Sequence, residues 1–179
     1  IRRIHFKIFL SQVKNKGIEE RIDVLEKQYG RLDWRVALTI SLEIAQEKFS
    51  RFKDKREAME VGIRFGLAYI TLGVVVSPLE GFVRLDLKKR RDGKEYFALF
   101  YSGPIRSAGG TGASVSVVVA DYIRLKMGYD VYDPSKEEIN RSVSEVHDYH
   151  ERITNLQYFP SDEEIVYLAS HLPVQITGD

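Results

Sequence analysis

The residues best suited to chemistry lie in the run Tyr101-Ser-Gly-Pro-Ile-Arg-Ser-Ala-Gly-Gly-Thr-Gly112, which holds four glycines, one proline and one arginine. Glycine lets the backbone turn tightly and bring bare N–H groups close to a partner. A helix that opens directly after such a loop adds the positive end of its dipole, so the pair suits an anion such as a phosphate. Arg106 would supply a bidentate contact to the same group.

Three arrangements fit this composition. In a dinucleotide site, Gly109 to Gly112 would open the helix and Asp133, 23 residues after Gly110, would meet a ribose hydroxyl. Val115 stands where the third glycine of that motif belongs, and Asp133-Pro134-Ser135 serves equally well as a helix start. A P-loop fits less well, because Gly110 occupies the lysine position and nothing replaces that charge. The third arrangement is a compact turn in which Arg106 pairs locally and whose N–H groups still approach a phosphodiester backbone.

Two other groups carry charge or ligand atoms. Lys88, Lys89, Arg90, Arg91 and Lys94 crowd a hairpin tip, and with Asp92 they give a net +4 over residues 88–94. Such a tip suits contact with a nucleic-acid backbone, and it also suits a solvated end whose like charges discourage strand pairing. Glu145, His147, Asp148, His150 and Glu151 present metal-binding atoms, but His147 and His150 are three apart and no H-E-x-x-H pattern exists. His150 falls on an apolar stripe, which favours a hydrogen-bonded structural histidine over a ligand. No catalytic residue and no metal site is expected in this segment. The absence of cysteine excludes disulfides, thiolate metal sites and a thiol nucleophile.

The elements that must hold these groups are legible from periodicity. Ile18, Ile22, Leu25 and Tyr29 repeat as a short helix ended by Gly30. Asp33 is placed to cap a second helix reaching about Ser50, and Asp54 a third whose later half is apolar nearly all round and ends near Gly73. Residues 82–87 alternate and residues 96–101 form an apolar run, two strand patterns joined by a turn containing Asp92-Gly93, a β-hairpin. The helix after the glycines runs from about Ala113 to Met127. Ser135-Lys-Glu-Glu138 and Ser161-Asp-Glu-Glu164 are capping boxes that open two more helices. Pro173 to Thr177 reads as a final strand. Residues 1–16, with five Lys/Arg and no acid, read as a strand or an arm. The expected class is α+β: a helical cluster, about residues 17–76, packed on a small antiparallel sheet in an α+β part, about 77–179, together one domain.

Composition sets few limits beyond these. With 179 residues, 30% charged and net +1, the total charge points to no partner, and no stretch is apolar and long enough to span a bilayer. The chain starts without Met and stops at Thr177-Gly-Asp179, so it is expected to be a piece of something longer.

Taken in order, six motifs resemble one family. They are Gly17-Ile-Glu-Glu-Arg-Ile22, Ser77-Pro-Leu-Glu-Gly81, Tyr101-Ser-Gly-Pro-Ile-Arg-Ser-Ala-Gly-Gly-Thr111, Asp148-Tyr-His150, Leu156-Gln-Tyr158 and Ile176-Thr-Gly178. From about residue 17 onward the sequence is similar to the N-terminal region of the large subunit of the archaeal family D DNA polymerase. The resemblance implies a replicative enzyme whose large subunit polymerises nucleotides on a carboxylate-held divalent metal such as Mg. It also implies a small subunit that carries a 3′–5′ exonuclease. That catalytic centre lies in a later region of such subunits, so this segment is expected to be an accessory or scaffold domain with no cofactor of its own. Expected partners are the small subunit, the rest of the large subunit, DNA and a second copy of the segment, with no membrane and a cytoplasmic location. Possible DNA contacts are Lys88, Lys89, Arg90, Arg91, Lys94 and Arg106, beside a glycine-rich loop of Gly103, Pro104, Arg106, Ser107, Gly109, Gly110 and Thr111. The competing class is a nucleotide-binding enzyme domain built on Gly109 to Gly112.

Overall fold

The computed structural model describes residues 16–71, 81–102, 111–153 and 156–178. Among them are six helices and a three-stranded sheet. Helix α1 (Lys16–Tyr29) packs on helix α2 (Trp34–Ala45), and α2 packs on α3 (Lys55–Thr71). Strands β1 (Phe82–Lys89) and β2 (Glu95–Tyr101) form the expected hairpin, followed by α4 (Thr111–Met127), α5 (Lys136–Arg152), α6 (Asp162–Ser170) and β3 (Gln175–Gly178). The α+β class holds.

Local signals account for most boundaries. The Asp33 carboxylate accepts the Arg35 N–H at 2.8 Å, and Asp54 accepts the Glu57 N–H at 2.8 Å, so each satisfies a free donor at a helix start. Both capping boxes close reciprocally, Ser135 with Glu138 and Ser161 with Glu164. Helix α2 stops at Ala45, short of Ser50, because Glu47 turns to φ 58° and its carboxylate accepts the Phe52 N–H at 2.9 Å. Gly93 supplies the left-handed residue of the hairpin turn at φ 84°. The stop expected at Gly73 and the reading of residues 1–15 lie outside the described residues.

The sheet is mixed rather than wholly antiparallel. β1 and β2 pair antiparallel, whereas Ala98 to Tyr101 of β2 pair in parallel with Gln175 to Gly178 of β3. Three helices separate β2 from β3, and a crossover of that length permits the parallel direction that a hairpin forbids.

Helix α3 lies at the centre, as its near-continuous apolar half requires. Its Met59, Ile63 and Leu67 pack with Leu85, Phe97 and Leu99 of the hairpin and with Val119 and Ile123 of α4. Its Phe65 and Tyr69 join a second cluster with Ile18 and Ile22 of α1 and Ile40 and Ile44 of α2. Close approach of α3 to its neighbours depends on two glycines. A Cβ on Gly62 would stand 2.5 Å from the Ser41 carbonyl oxygen, and one on Gly66 would stand 2.6 Å from the Ser41 hydroxyl.

Candidate nucleic-acid interface

The glycine-rich run is fixed at both of its described ends. Gly103, Pro104, Arg106, Ser107, Gly109 and Gly110 lie outside the described residues. Thr111 opens α4. Before the loop, the Ser102 N–H donates to the Gly81 carbonyl at 2.9 Å and extends the hairpin ladder by one rung. Across its base, the Tyr101 hydroxyl and the Ser116 hydroxyl are 2.7 Å apart, both side chains buried. Ser116 spends its one proton on the Ala113 carbonyl at 2.7 Å, so Tyr101 is the donor between them. Burial pushes the Tyr101 phenol up to about 12. Strand β2 and helix α4 are therefore tied together on both sides of the loop by one buried polar contact.

This tie gives a sharp mutational contrast. Ser116→Ala should cost about 1–3 kcal/mol, because it leaves the Tyr101 hydroxyl buried without a partner. Tyr101→Phe should cost about 1 kcal/mol or less, since Ser116 keeps the Ala113 carbonyl. Urea unfolding of the two variants beside the parent protein measures the difference.

The basic tip lies at the other end of the hairpin. Seven residues of β2 separate it from the root of the glycine loop, or about 20 Å at strand rise. Its positive charge is largely spoken for by acids that sequence spacing did not connect to it. Arg91 grips Asp133 through two nitrogens at 2.9 and 2.8 Å. Lys94 reaches Asp130 at 3.2 Å, and Arg90 pairs with Asp92 and Asp130 while donating to the Val131 carbonyl at 3.0 Å. Lys88 donates to Gln175 at 2.9 Å and lies 5.3 Å from the centre of the Phe100 ring. Lys89 is exposed and makes no ion pair among the described residues. The tip thus keeps about half of its net +4.

The same contacts remove the acid that a dinucleotide site needs. Arg91 holds the Asp133 carboxyl below its ordinary range, chiefly through the hydrogen bonds it donates. The segment around it forms no strand beyond one bridge of Asp130 to Tyr96. Asp133 is a partner of the tip.

The histidines are also engaged. His147 Nε2 sits 2.8 Å from Asp162, and His150 Nδ1 accepts the Leu156 N–H at 3.1 Å. Both rings pack on Phe159, at 4.8 and 4.5 Å between centroids. His150 is hydrogen-bonded but only half-buried. Among the described residues no three His, Asp or Glu side chains gather as a metal site would require.

One cluster escaped notice in the sequence although its spacing was visible. Arg56, Glu60 and Arg64 recur every four residues and so share one face of α3. That face seals the outer edge of β1. Glu60 accepts the Leu85 N–H at 3.0 Å, Arg56 donates to the Leu85 carbonyl at 3.0 Å, and Arg64 donates to the Phe82 carbonyl at 2.7 Å and to the Val83 carbonyl. Glu60 also pairs with both arginines, at 3.3 and 3.1 Å. Side chains here replace the strand that an open edge would otherwise recruit.

Comparison with known proteins agrees with the motifs. The profile of the family described as "DNA polymerase II large subunit DP2, N-terminal" matches residues 9–179. The chain belongs to this family, the N-terminal region of DNA polymerase II large subunits. It is 52% identical over 168 residues to the DNA polymerase II large subunit of Nanoarchaeum equitans, covering 94% of this chain and 14% of that protein. It is 44% identical over 164 residues to the large subunit of Methanococcoides burtonii, covering 92% and 14%. It is 43% identical over 171 residues to that of Thermococcus kodakarensis, covering 94% and 9%. The chain therefore spans a seventh or less of the length of these relatives. Among the described residues no helix is long and apolar enough to cross a membrane.

Proposed function

We propose that this segment is a single non-catalytic domain at the N-terminus of the polymerising subunit of a replicative DNA-directed DNA polymerase. In this reading it supports the polymerase core, assembles with a small 3′–5′ exonuclease subunit, and touches the DNA backbone without reading sequence. Membership of the large-subunit family is the observation that carries it. In this reading the divalent metal of such a polymerase is held in another region of the subunit.

The hairpin geometry sharpens the DNA part. The root of the glycine loop and the basic tip are about 20 Å apart, which is about six nucleotide steps along one strand. A duplex lying along the hairpin would meet the root of the glycine loop near one end and Lys89 near the other. Phosphate contacts of this kind release counterions, so affinity must fall steeply with salt.

The test is fluorescence anisotropy of the 179-residue chain with a labelled primer–template across a salt series. Arg106→Ala and Lys89→Ala should each weaken binding and lower the slope of log affinity against log salt by about one. Arg91→Ala should do less, because Asp133 already neutralises that charge. Salt-insensitive binding, or equal slopes for all three variants, would rule out backbone contact at these positions. The competing nucleotide-site reading is checked by thermal shift with NAD, ATP and dNTPs, where a bound ligand must raise the melting temperature.

A further inference from the structure

The α5–α6 hairpin carries more apolar surface than its few packing contacts explain. Helix α5 has no fully buried residue, and Ile139, Val143 and Val146 of its apolar stripe are half-buried. Helix α6 buries only Ile165 and Ala169 in its nine residues. Of the fourteen exposed large hydrophobic side chains among the described residues, seven fall within residues 149–168. Ile153, Tyr158, Tyr167 and Leu168 are 71, 68, 64 and 61% exposed. A nine-residue helix has little stability in water without a packed face. Concentrated apolar exposure of this kind marks an interaction surface.

The surface is also held in shape. Phe159 is packed by the rings of both His147 and His150, and Tyr158 donates to Glu164 at 2.7 Å. Rigid tyrosines in a preset frame lose little entropy on binding, which is what a contact region needs.

Charge selects the partner. Residues 136–171 hold eight acids and three Lys/Arg, in a chain whose total is +1. DNA is repelled by such a surface, and so is a second copy of it. A protein face with an apolar centre and a basic rim is complementary. The relatives carry some six-sevenths of their chain outside the matched part. A partner on the same polypeptide acts at an effective concentration of the order of millimolar, so a patch of modest area suffices to hold it.

We propose that the α5–α6 hairpin is where the rest of the large subunit's own polypeptide packs, through a basic-rimmed apolar surface. The inference rests on the reading of this segment as a large-subunit domain. Hydrogen–deuterium exchange tests it, comparing the 179-residue chain with the same residues in the full-length large subunit alone. Amides of residues 149–171 should exchange at least about tenfold more slowly in the full-length subunit. An Ile153→Ser, Tyr167→Ser, Leu168→Ser variant should leave the melting of the 179-residue chain unchanged and abolish that protection. Equal exchange in both proteins overturns the proposal. So does protection that needs the small subunit, needs DNA, or grows with protein concentration. Primer extension by the same full-length sample with its small subunit separates the two readings. Extension without hairpin protection removes this proposal alone, and protection without extension removes the polymerase reading alone.

Discussion

Gly62→Ala should cost about 2–3 kcal/mol of stability, a fall of about 5–10 °C in melting temperature for a chain of this size. The added Cβ would stand 2.5 Å from the Ser41 carbonyl oxygen and 3.3 Å from an Ile123 methyl. The near atom is backbone, in the middle of α2, so no rotamer change relieves the overlap. Helices α2 and α3 must move apart, and α3 is shared by both apolar clusters. Gly66→Ala makes an instructive contrast. Its nearest atoms are the Ser41 hydroxyl at 2.6 Å and the Val119 methyls at 2.7 and 2.9 Å, all on side chains. The Ser41 hydroxyl is buried and makes no hydrogen bond among the described residues. Ser41→Ala should therefore be neutral or stabilising, and it should recover part of the loss from Gly66→Ala but none of the loss from Gly62→Ala. Thermal and urea unfolding of these single and double variants decide the point.

The second large effect is expected at Glu60. Glu60→Ala removes the acceptor of the Leu85 N–H and the anion between Arg56 and Arg64. The cost should be about 2–3 kcal/mol, because a strand N–H loses its partner and two partly buried guanidinium groups lose their counter-charge. Glu60→Gln keeps an acceptor at the same place and should lose about half as much. The deletion also uncovers the β1 edge between Phe82 and Leu85, so Glu60→Ala should form concentration-dependent oligomers that the parent protein and Glu60→Gln do not. Unfolding curves give the first number and size-exclusion chromatography at several concentrations gives the second. A Glu60→Ala protein as stable as the parent would show that the two arginines alone seal the edge.

Most elements were legible because their signals are local. Side-chain oxygens at Asp33, Asp54, Ser135 and Ser161 satisfy N–H groups two or three residues away, a distance that sequence displays directly. The hairpin followed from an alternating run and an apolar run on either side of Asp92-Gly93. The apolar half of α3 announced a central helix. The family was legible for a related reason, since an ordered set of motifs belongs to the chain and needs no fold to be seen.

What sequence could not show depends on residues far apart in the chain. The tip from Lys88 to Lys94 reads as an isolated cationic end, yet Asp130 and Asp133 come back some forty residues later to neutralise about half of it. Tyr101 and Ser116 look like ordinary strand and helix residues until the fold buries their hydroxyls against each other at the base of the glycine loop. The stripe on α5 reads as a core-facing side by period alone, and the fold leaves Ile139, Val143 and Val146 only half-buried. The direction of β3 likewise rests on the three-helix crossover. Periodicity, capping and motif order are properties of neighbours along the chain, so the sequence by itself determined the elements and the family. Charge neutralisation, burial and strand direction are set by which distant segments share a space, and only the tertiary structure decided those.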